Sequence, residues 1–125
     1  IRDLSVDYPD FLIACTNWYG IVPQQGYFEN KDDHAGEQET SVMMYYHPEL
    51  VNLEEAGEGT SKPFALSSLN EQVAWVPRYW SKVSADTGIG DPRKSSAEKG
   101  ERYAKAVVEK LALLFTEIGS KEVYL

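Results

Sequence analysis

The hydrophobic pattern is clearest toward the C-terminus, where it predicts a long amphipathic helix. Its apolar positions are Ala104, Val107, Val108, Leu111, Leu114 and Phe115. They recur at helical spacing up to Gly119. Ser95 and Glu98, three residues apart, have the form of a capping box, and residues 88–92 before them are typical of a turn. We therefore predict a helix from this box to Gly119, and leave residues 121–125 open between a terminal strand and a tail.

Two shorter patterns predict a strand and a second helix. Residues 11–17 form an apolar run with β-branched side chains, which is typical of a buried strand, and Cys15 inside it is interpreted as a small core residue. From residue 36 or 37 to about His47 the periodicity is helical, and Pro48 then disturbs it. The order of strand, loop, helix and helix favours an α/β layered unit.

The remaining segments predict connections rather than further regular elements. Residues 1–8 look like the end of a helix that runs into a loop at Pro9. Residues 52–64 are polar, with two glycines and a proline, and predict a surface connection. Residues 73–83 contain Pro77, which argues against a central strand, so this segment is predicted to be irregular or an edge. Because the first residue is Ile and the opening residues resemble the end of a helix, we expect the chain to be part of a longer polypeptide.

Composition and charge exclude several classes of partner. With 125 residues and 42% hydrophobic residues, the chain is long enough for one domain with a core. Its formal charge of −8 opposes binding to nucleic acid and to anionic membranes. The longest apolar runs fall short of the ~18–20 residues that span a bilayer. The single cysteine cannot form an internal disulfide, so we expect a cytoplasmic protein.

Residues 28–41 carry the most specific chemistry in the sequence. His34 lies just before the predicted helix, a small Ala-Gly pair follows it, and Glu37 and Glu39 fall in the first helical turn. Imidazole and carboxylate groups suit zinc or manganese, and they also suit acid/base catalysis near neutral pH. The spacing matches no standard zinc motif, however. A solvated helix start rich in capping acids is therefore the alternative interpretation.

Two longer motifs in the sequence resemble the creatininase (creatinine amidohydrolase) superfamily. HAGEQETSVMMYYHPELV is similar to the family's HxGxxETSxMLxLxPxLV signature, and SADTGIGDPRKSSAEKGERYAKAVVEKLA is similar to a segment near its C-terminus. The resemblance covers the chain from about Phe11 to Glu117 and corresponds to the C-terminal half of the family. The resemblance implies a three-layer α/β fold, a mostly parallel sheet flanked by helices, with residues 1–125 as the C-terminal part of a single domain.

The resemblance also implies an activity and roles for individual residues. It implies a two-metal site with Zn²⁺ or Mn²⁺ and hydrolysis of a C–N bond in a small cyclic or linear amide. His34 would be the catalytic residue, as general acid/base or as the group that orients the amide, and Glu39 a metal ligand or a support for one. Trp18 would close over the substrate, with a core or interface tryptophan as the alternative. The family's other metal ligands belong to its N-terminal half, so the isolated 125 residues should be inactive. The family further implies a homo-oligomer, commonly a hexamer.

The residues before His34 depart from the members that hydrolyse creatinine. Those members carry Trp, Asp and Glu where this chain has Asn30, Lys31 and Asp33, so only Asp33 keeps its acidic character. We assign Asn30 and Asp33 to the substrate pocket together with Trp18. The altered pocket predicts that creatinine itself is not the natural substrate.

Several alternatives remain open from the sequence. The protein could be a peptidase-like or formamide-hydrolysing family member, or a non-catalytic assembly module. In the last case Trp75, Tyr79 and Trp80 would form its interface, although the interpretation of these aromatics as domain core is favoured. Two other polar residues near the motif are predicted to lie at the surface. Glu37, at a variable family position, is expected to be an exposed capping acid, and His47 a surface residue at a helix end.

Overall fold

The computed structural model describes residues 1–124, in which helices alternate with irregular segments. The α-helices are α1 (Arg2–Asp7), α2 (Trp18–Ile21), α3 (Glu37–Tyr46), α4 (Ser67–Asn70), α5 (Trp80–Val83) and α6 (Ala97–Ser120). Short 3-10 turns occur at Pro48–Leu50, Leu53–Glu55 and Pro92–Lys94. Within the described part of the chain, no helix is both long enough and apolar enough to span a bilayer.

The predicted three-layer α/β fold with a mostly parallel sheet is wrong, because residues 1–124 contain no strand. Their only β-type pairing is three isolated bridges: Gln25 with Phe28, His34 with Ile89, and Ser61 with Ser84. Residues 11–17 are irregular, Phe11 is 68% exposed, and Cys15 is exposed rather than in a core. A strand needs a neighbouring strand to pair with its backbone groups, and an apolar run does not supply that partner.

The core lies where α6 packs against α3 and the loop around residues 22–28. Tyr103 is fully buried, and Val107 and Val22 are buried beside it. The Tyr103 hydroxyl donates to the Val22 carbonyl oxygen at 2.8 Å, and its ring lies 5.1 Å from the ring of Phe28 and 5.4 Å from that of Tyr27. Because the Tyr103 ring is buried and its hydroxyl is hydrogen-bonded to the loop, this residue fixes the loop around residues 22–28 to α6.

Helices α3 and α6 approach each other to backbone contact at Gly100. A Cβ atom added at Gly100 would lie 1.9 Å from the carbonyl oxygen of Ser41. Ser41 is itself fully buried, and its hydroxyl oxygen accepts from the Ser96 backbone N–H at 3.2 Å. Only glycine leaves room for this crossing, so α3 is held at a fixed distance from α6.

The two longer helices were predicted correctly, apart from the residue that caps α6. The side chain of Ser96, not Ser95, accepts from the Lys99 backbone N–H at 3.2 Å. Ser95 is buried instead, and its hydroxyl donates to the Glu37 carbonyl oxygen. Helix α3 ends just before His47, which is exposed as predicted. Residues 121–124 are irregular, and Leu125 lies outside the described residues.

Candidate active site around His34

The backbone of His34 is fixed by a two-way pairing with Ile89. His34 N–H donates to the Ile89 carbonyl oxygen at 2.9 Å, and Ile89 N–H donates to the His34 carbonyl oxygen at 2.8 Å. Ala35 follows with a backbone φ of 52°, in the left-handed region that residues other than glycine rarely adopt. The chain therefore turns sharply after His34 and enters α3 at Glu37.

Glu39 lies beside the imidazole of His34 at the start of α3. Its Oε2 accepts from the Ala35 backbone N–H at 2.6 Å and lies 3.8 Å from His34 Nδ1. That separation is an ion-pair distance when the imidazole is protonated. The first turn of a helix favours a carboxylate because of the helix dipole. The structure therefore brings together the predicted catalytic residue and the predicted metal ligand, both of them half-exposed.

Asp32 stabilises the same helix start and was not singled out from the sequence. Its carboxylate accepts from the backbone N–H groups of Gly36 and Gln38. Burial raises the pKa of Asp32, and these hydrogen bonds oppose that rise. A Cβ atom at Gly36 would lie 2.5 Å from the Asp32 carboxylate, so the contact needs glycine there. An aspartate just ahead of a helix start was the available sequence signal.

Glu37 is fully buried, so its interpretation as an exposed capping acid is wrong. Its carboxylate accepts from the Glu29 and Asn30 backbone N–H groups at 3.0 and 2.7 Å, and from Lys99 Nζ at 2.6 Å. The hydrogen bond to Glu37 raises the pKa of Lys99. Because Lys99 lies on α6, 62 residues away, local sequence could not reveal this partner.

Asn30 is positioned from both its backbone and its side chain. Its N–H donates to Glu37, and its Nδ2 donates to the Asp91 carbonyl oxygen at 3.2 Å. The loop that carries Asn30 is therefore connected to α3 and to the turn before α6. This places Asn30 near the helix start, although it lines neither of the two cavities described below.

Asp33 forms a two-point ion pair with Arg78, which was not predicted as a site residue. The guanidinium nitrogens donate to the two Asp33 carboxylate oxygens at 2.8 and 3.0 Å, and this interaction raises the pKa of Arg78. The guanidinium also lies 5.0 Å from the ring centroid of Trp80, and that ring lies 4.8 Å from the imidazole of His34. Trp75 and Tyr79 are 85% and 76% exposed, so the interpretation of these aromatics as core is wrong.

Three of the five predicted site residues divide between two cavities, and His34 and Asn30 line neither of them. Trp18 and Glu39 line a cavity of about 600 Å³ that α3 shares with the segments around residues 50–59 and 86–92. Asp33 lines a second cavity of about 550 Å³ together with Arg78. In the first cavity every charged side chain among the described lining residues is an acid: Glu39, Glu55 and Asp86. That lining disfavours an anionic ligand.

The described residues offer ligands of the right type for zinc or manganese, but too few of them. No group of three or more His, Cys, Asp or Glu side chains within residues 1–124 is arranged to hold an ion. His34 and Glu39 provide one imidazole and one carboxylate, whereas zinc sites use three or four protein ligands. A metal centre built on Glu39 would need ligands beyond these residues.

Comparison with known proteins identifies the family. The sequence model of the creatininase family, described as creatinine amidohydrolase, matches residues 2–115. The chain belongs to the creatininase family. A crystal structure from Bacteroides fragilis NCTC 9343, of a protein provisionally named creatinine amidohydrolase, matches this creatininase-family chain with 64% identity and a TM-score of 0.96. The match covers 100% of this chain and 50% of that one. A search of curated proteins found no match.

Membership of the creatininase family confirms the resemblance that the two motifs carry. The structure adds how the motifs meet, since Ile89 of the second pairs with His34 of the first. The chain spans about half the length of the Bacteroides protein that it matches.

Proposed function

We propose that this creatininase-family chain contributes part of the active site of an amidohydrolase that cleaves a C–N bond in a small cyclic or linear amide. The observation that carries the proposal is the His34–Glu39 pair, with 3.8 Å between Nδ1 and Oε2, at the start of α3. An imidazole next to a carboxylate at a backbone-fixed turn can accept a proton and release it again.

In this proposal His34 moves the proton during hydrolysis. A water oxygen forms a bond to the amide carbon, and His34 accepts the proton that the water loses. The C–N bond then breaks, and His34 donates that proton to the departing nitrogen. Glu39 orients the imidazole and provides one ligand for a divalent ion, Zn²⁺ or Mn²⁺. Such ions, when bound, polarise an amide carbonyl and lower the pKa of a bound water.

We further propose that residues 1–125 are the C-terminal part of a single catalytic domain, and that the other metal ligands come from outside them. Two observations support this: the match covers half of the Bacteroides protein, and the two motifs resemble the C-terminal half of the family. The isolated 125 residues should then have no hydrolytic activity. A cytoplasmic location and a homo-oligomer, commonly a hexamer, stay predictions.

The substrate is proposed to be a neutral or cationic amide other than creatinine. The acidic lining of the larger cavity supports the charge preference. Asn30 and Lys31 replace the Trp and Asp of the creatinine-hydrolysing members, and the Asp33 carboxylate is paired with Arg78, so the segment before His34 differs from theirs in side-chain shape and charge. A formamide or a peptide-like amide of suitable charge remains within this class, and Trp18 would cover it.

Metal analysis combined with amide hydrolysis by the intact protein tests the proposal. We expect roughly two zinc or manganese ions per chain. His34→Gln should lower hydrolysis by about 10²–10⁴-fold and keep the metal. Glu39→Gln should lose both metal and activity, whereas His47→Gln, a change of the same kind at an exposed histidine, should alter neither. Absence of metal from the folded intact protein would refute the proposal that it is a metal-dependent amidohydrolase. Rapid turnover of creatinine would refute the proposal that the substrate is another amide.

A further inference from the structure

We propose that Arg78 is a positioning residue for His34, acting through the ring of Trp80. The catalytic part of this inference rests on the proposed function above, whereas the geometric part does not. The residues involved form a continuous set of contacts from Asp33 through Arg78 and Trp80 to His34, and we refer to it as the Arg78 cluster.

The first contact in the Arg78 cluster fixes the direction of the guanidinium. Two nitrogens of Arg78 reach the two carboxylate oxygens of Asp33 at 2.8 and 3.0 Å. A two-point contact of this kind restricts rotation of the planar guanidinium, which a single hydrogen bond from lysine would not do. Asp33 itself is held in place, because its backbone N–H donates to the Ile89 carbonyl oxygen at 3.0 Å.

The second contact places the guanidinium over the indole of Trp80. The carbon at the centre of the guanidinium lies 5.0 Å from the ring centroid, within the range of a cation–π interaction. Trp80 is the first residue of α5, a single turn with little packing of its own. Arg78 therefore supplies a contact that holds the indole in a position that this short helix does not fix alone.

The third contact is between the indole and the imidazole. The ring centroids of Trp80 and His34 are 4.8 Å apart with an interplanar angle of 51°. The His34 side chain is 48% exposed, and an exposed side chain changes rotamer rapidly unless neighbours restrict it. The indole is such a neighbour, and it favours the rotamer in which Nδ1 faces Glu39. A histidine held in this rotamer is ready for proton transfer, since it need not first reorient.

Nuclear magnetic resonance of the intact protein tests the geometric part. A nearby indole shifts the ring-proton resonances of a histidine through its ring current. The His34 resonances are assigned by their loss in His34→Gln, and those of His47 serve as an internal reference. We expect Arg78→Ala to move the His34 resonances toward their positions in Trp80→Ala, with His47 unchanged. Trp80→Phe, which keeps an aromatic ring, should retain part of the shift.

Two further variants separate positioning from general stability. Arg102→Ala removes another arginine that lies over an aromatic ring, that of Tyr27 at 5.5 Å, and should leave the His34 resonances unchanged. Arg78→Lys keeps the charge without the two-point contact, and it provides a milder change should Arg78→Ala fail to fold. We expect an intermediate shift of the His34 resonances for Arg78→Lys.

Kinetics of the intact metal-loaded enzyme test the catalytic part. We expect kcat in Arg78→Ala to fall by about two- to fivefold with KM nearly unchanged, because the lost contacts are weak and partly exposed. His34 resonances that stay in place in Arg78→Ala, although Trp80→Ala moves them, would overturn the role of Arg78. If the resonances move as expected but the wild-type protein hydrolyses no amide, the proposed function fails and the positioning geometry stands.

Discussion

Replacing Gly100 with alanine should destabilise the protein, although alanine is the better helix former. In α6 the new Cβ would lie 1.9 Å from the Ser41 carbonyl oxygen, whereas non-bonded heavy atoms prefer about 3.5 Å. The clash is with backbone, so α3 and α6 must separate by about 1.5 Å. A clash this deep with backbone should cost about 3 kcal/mol, the upper part of the range for overpacking, and the better helix propensity of alanine offsets about 1 kcal/mol of it. The expected net loss in the free energy of unfolding is about 2 kcal/mol.

Gly119→Ala is the matched control, because it is the same change in the same helix without a neighbour. Nothing lies within 4 Å of a Cβ atom added there, so this variant should gain about 0.5–1 kcal/mol. Urea unfolding, monitored by circular dichroism, measures the free energy of unfolding of both variants. With a slope of about 1–3 kcal/mol/M, Gly100→Ala should unfold at about 1 M less urea than the wild type. A Gly100→Ala variant as stable as Gly119→Ala would refute the backbone contact between α3 and α6.

Two further predictions concern charged groups. Lys99→Met leaves the Glu37 carboxylate buried without its cation, so it should lower the free energy of unfolding by about 2–4 kcal/mol, measured by urea unfolding. The control Glu109→Gln changes an exposed residue and should lower it by about 0.5 kcal/mol or less. An equal loss of unfolding free energy in the two variants would contradict the buried ion pair of Lys99 with Glu37. Arg93 lowers the pKa of Asp91 from 3.8 to about 2. The stabilisation it provides should therefore be present above about pH 4 and decline toward pH 2, and Asp91→Asn should remove that part of the pH dependence.

The parts of the fold that sequence predicted are those that depend on neighbouring residues. Helix α6 follows from apolar spacing and a serine cap, although the cap is Ser96 rather than Ser95. Helix α3 was predicted from its helical periodicity, and its end was predicted from Pro48, which disturbs that periodicity. The prediction of a strand at residues 11–17 was wrong, because strand formation depends on a distant pairing partner that the apolar run does not specify.

The candidate site divides in the same way. His34 and Glu39 are five residues apart across one turn, so their proximity could be expected from the motif. The burial of Glu37 depends on Lys99, and the ion pair of Asp33 depends on a residue 45 positions away. Contacts over such distances are set by the packing of α3, α6 and the loops, which a single sequence does not reveal.

The pairing of Ile89 with His34 has a consequence for how the two motifs can diverge. It uses only backbone groups, so the pairing itself does not depend on the side chain at position 89, except that proline would remove the N–H that donates to His34. The spacing is not free, because inserting or deleting one residue between Asp86 and Ile89 would change which residue faces His34. Divergence in this segment should therefore occur by substitution at constant length.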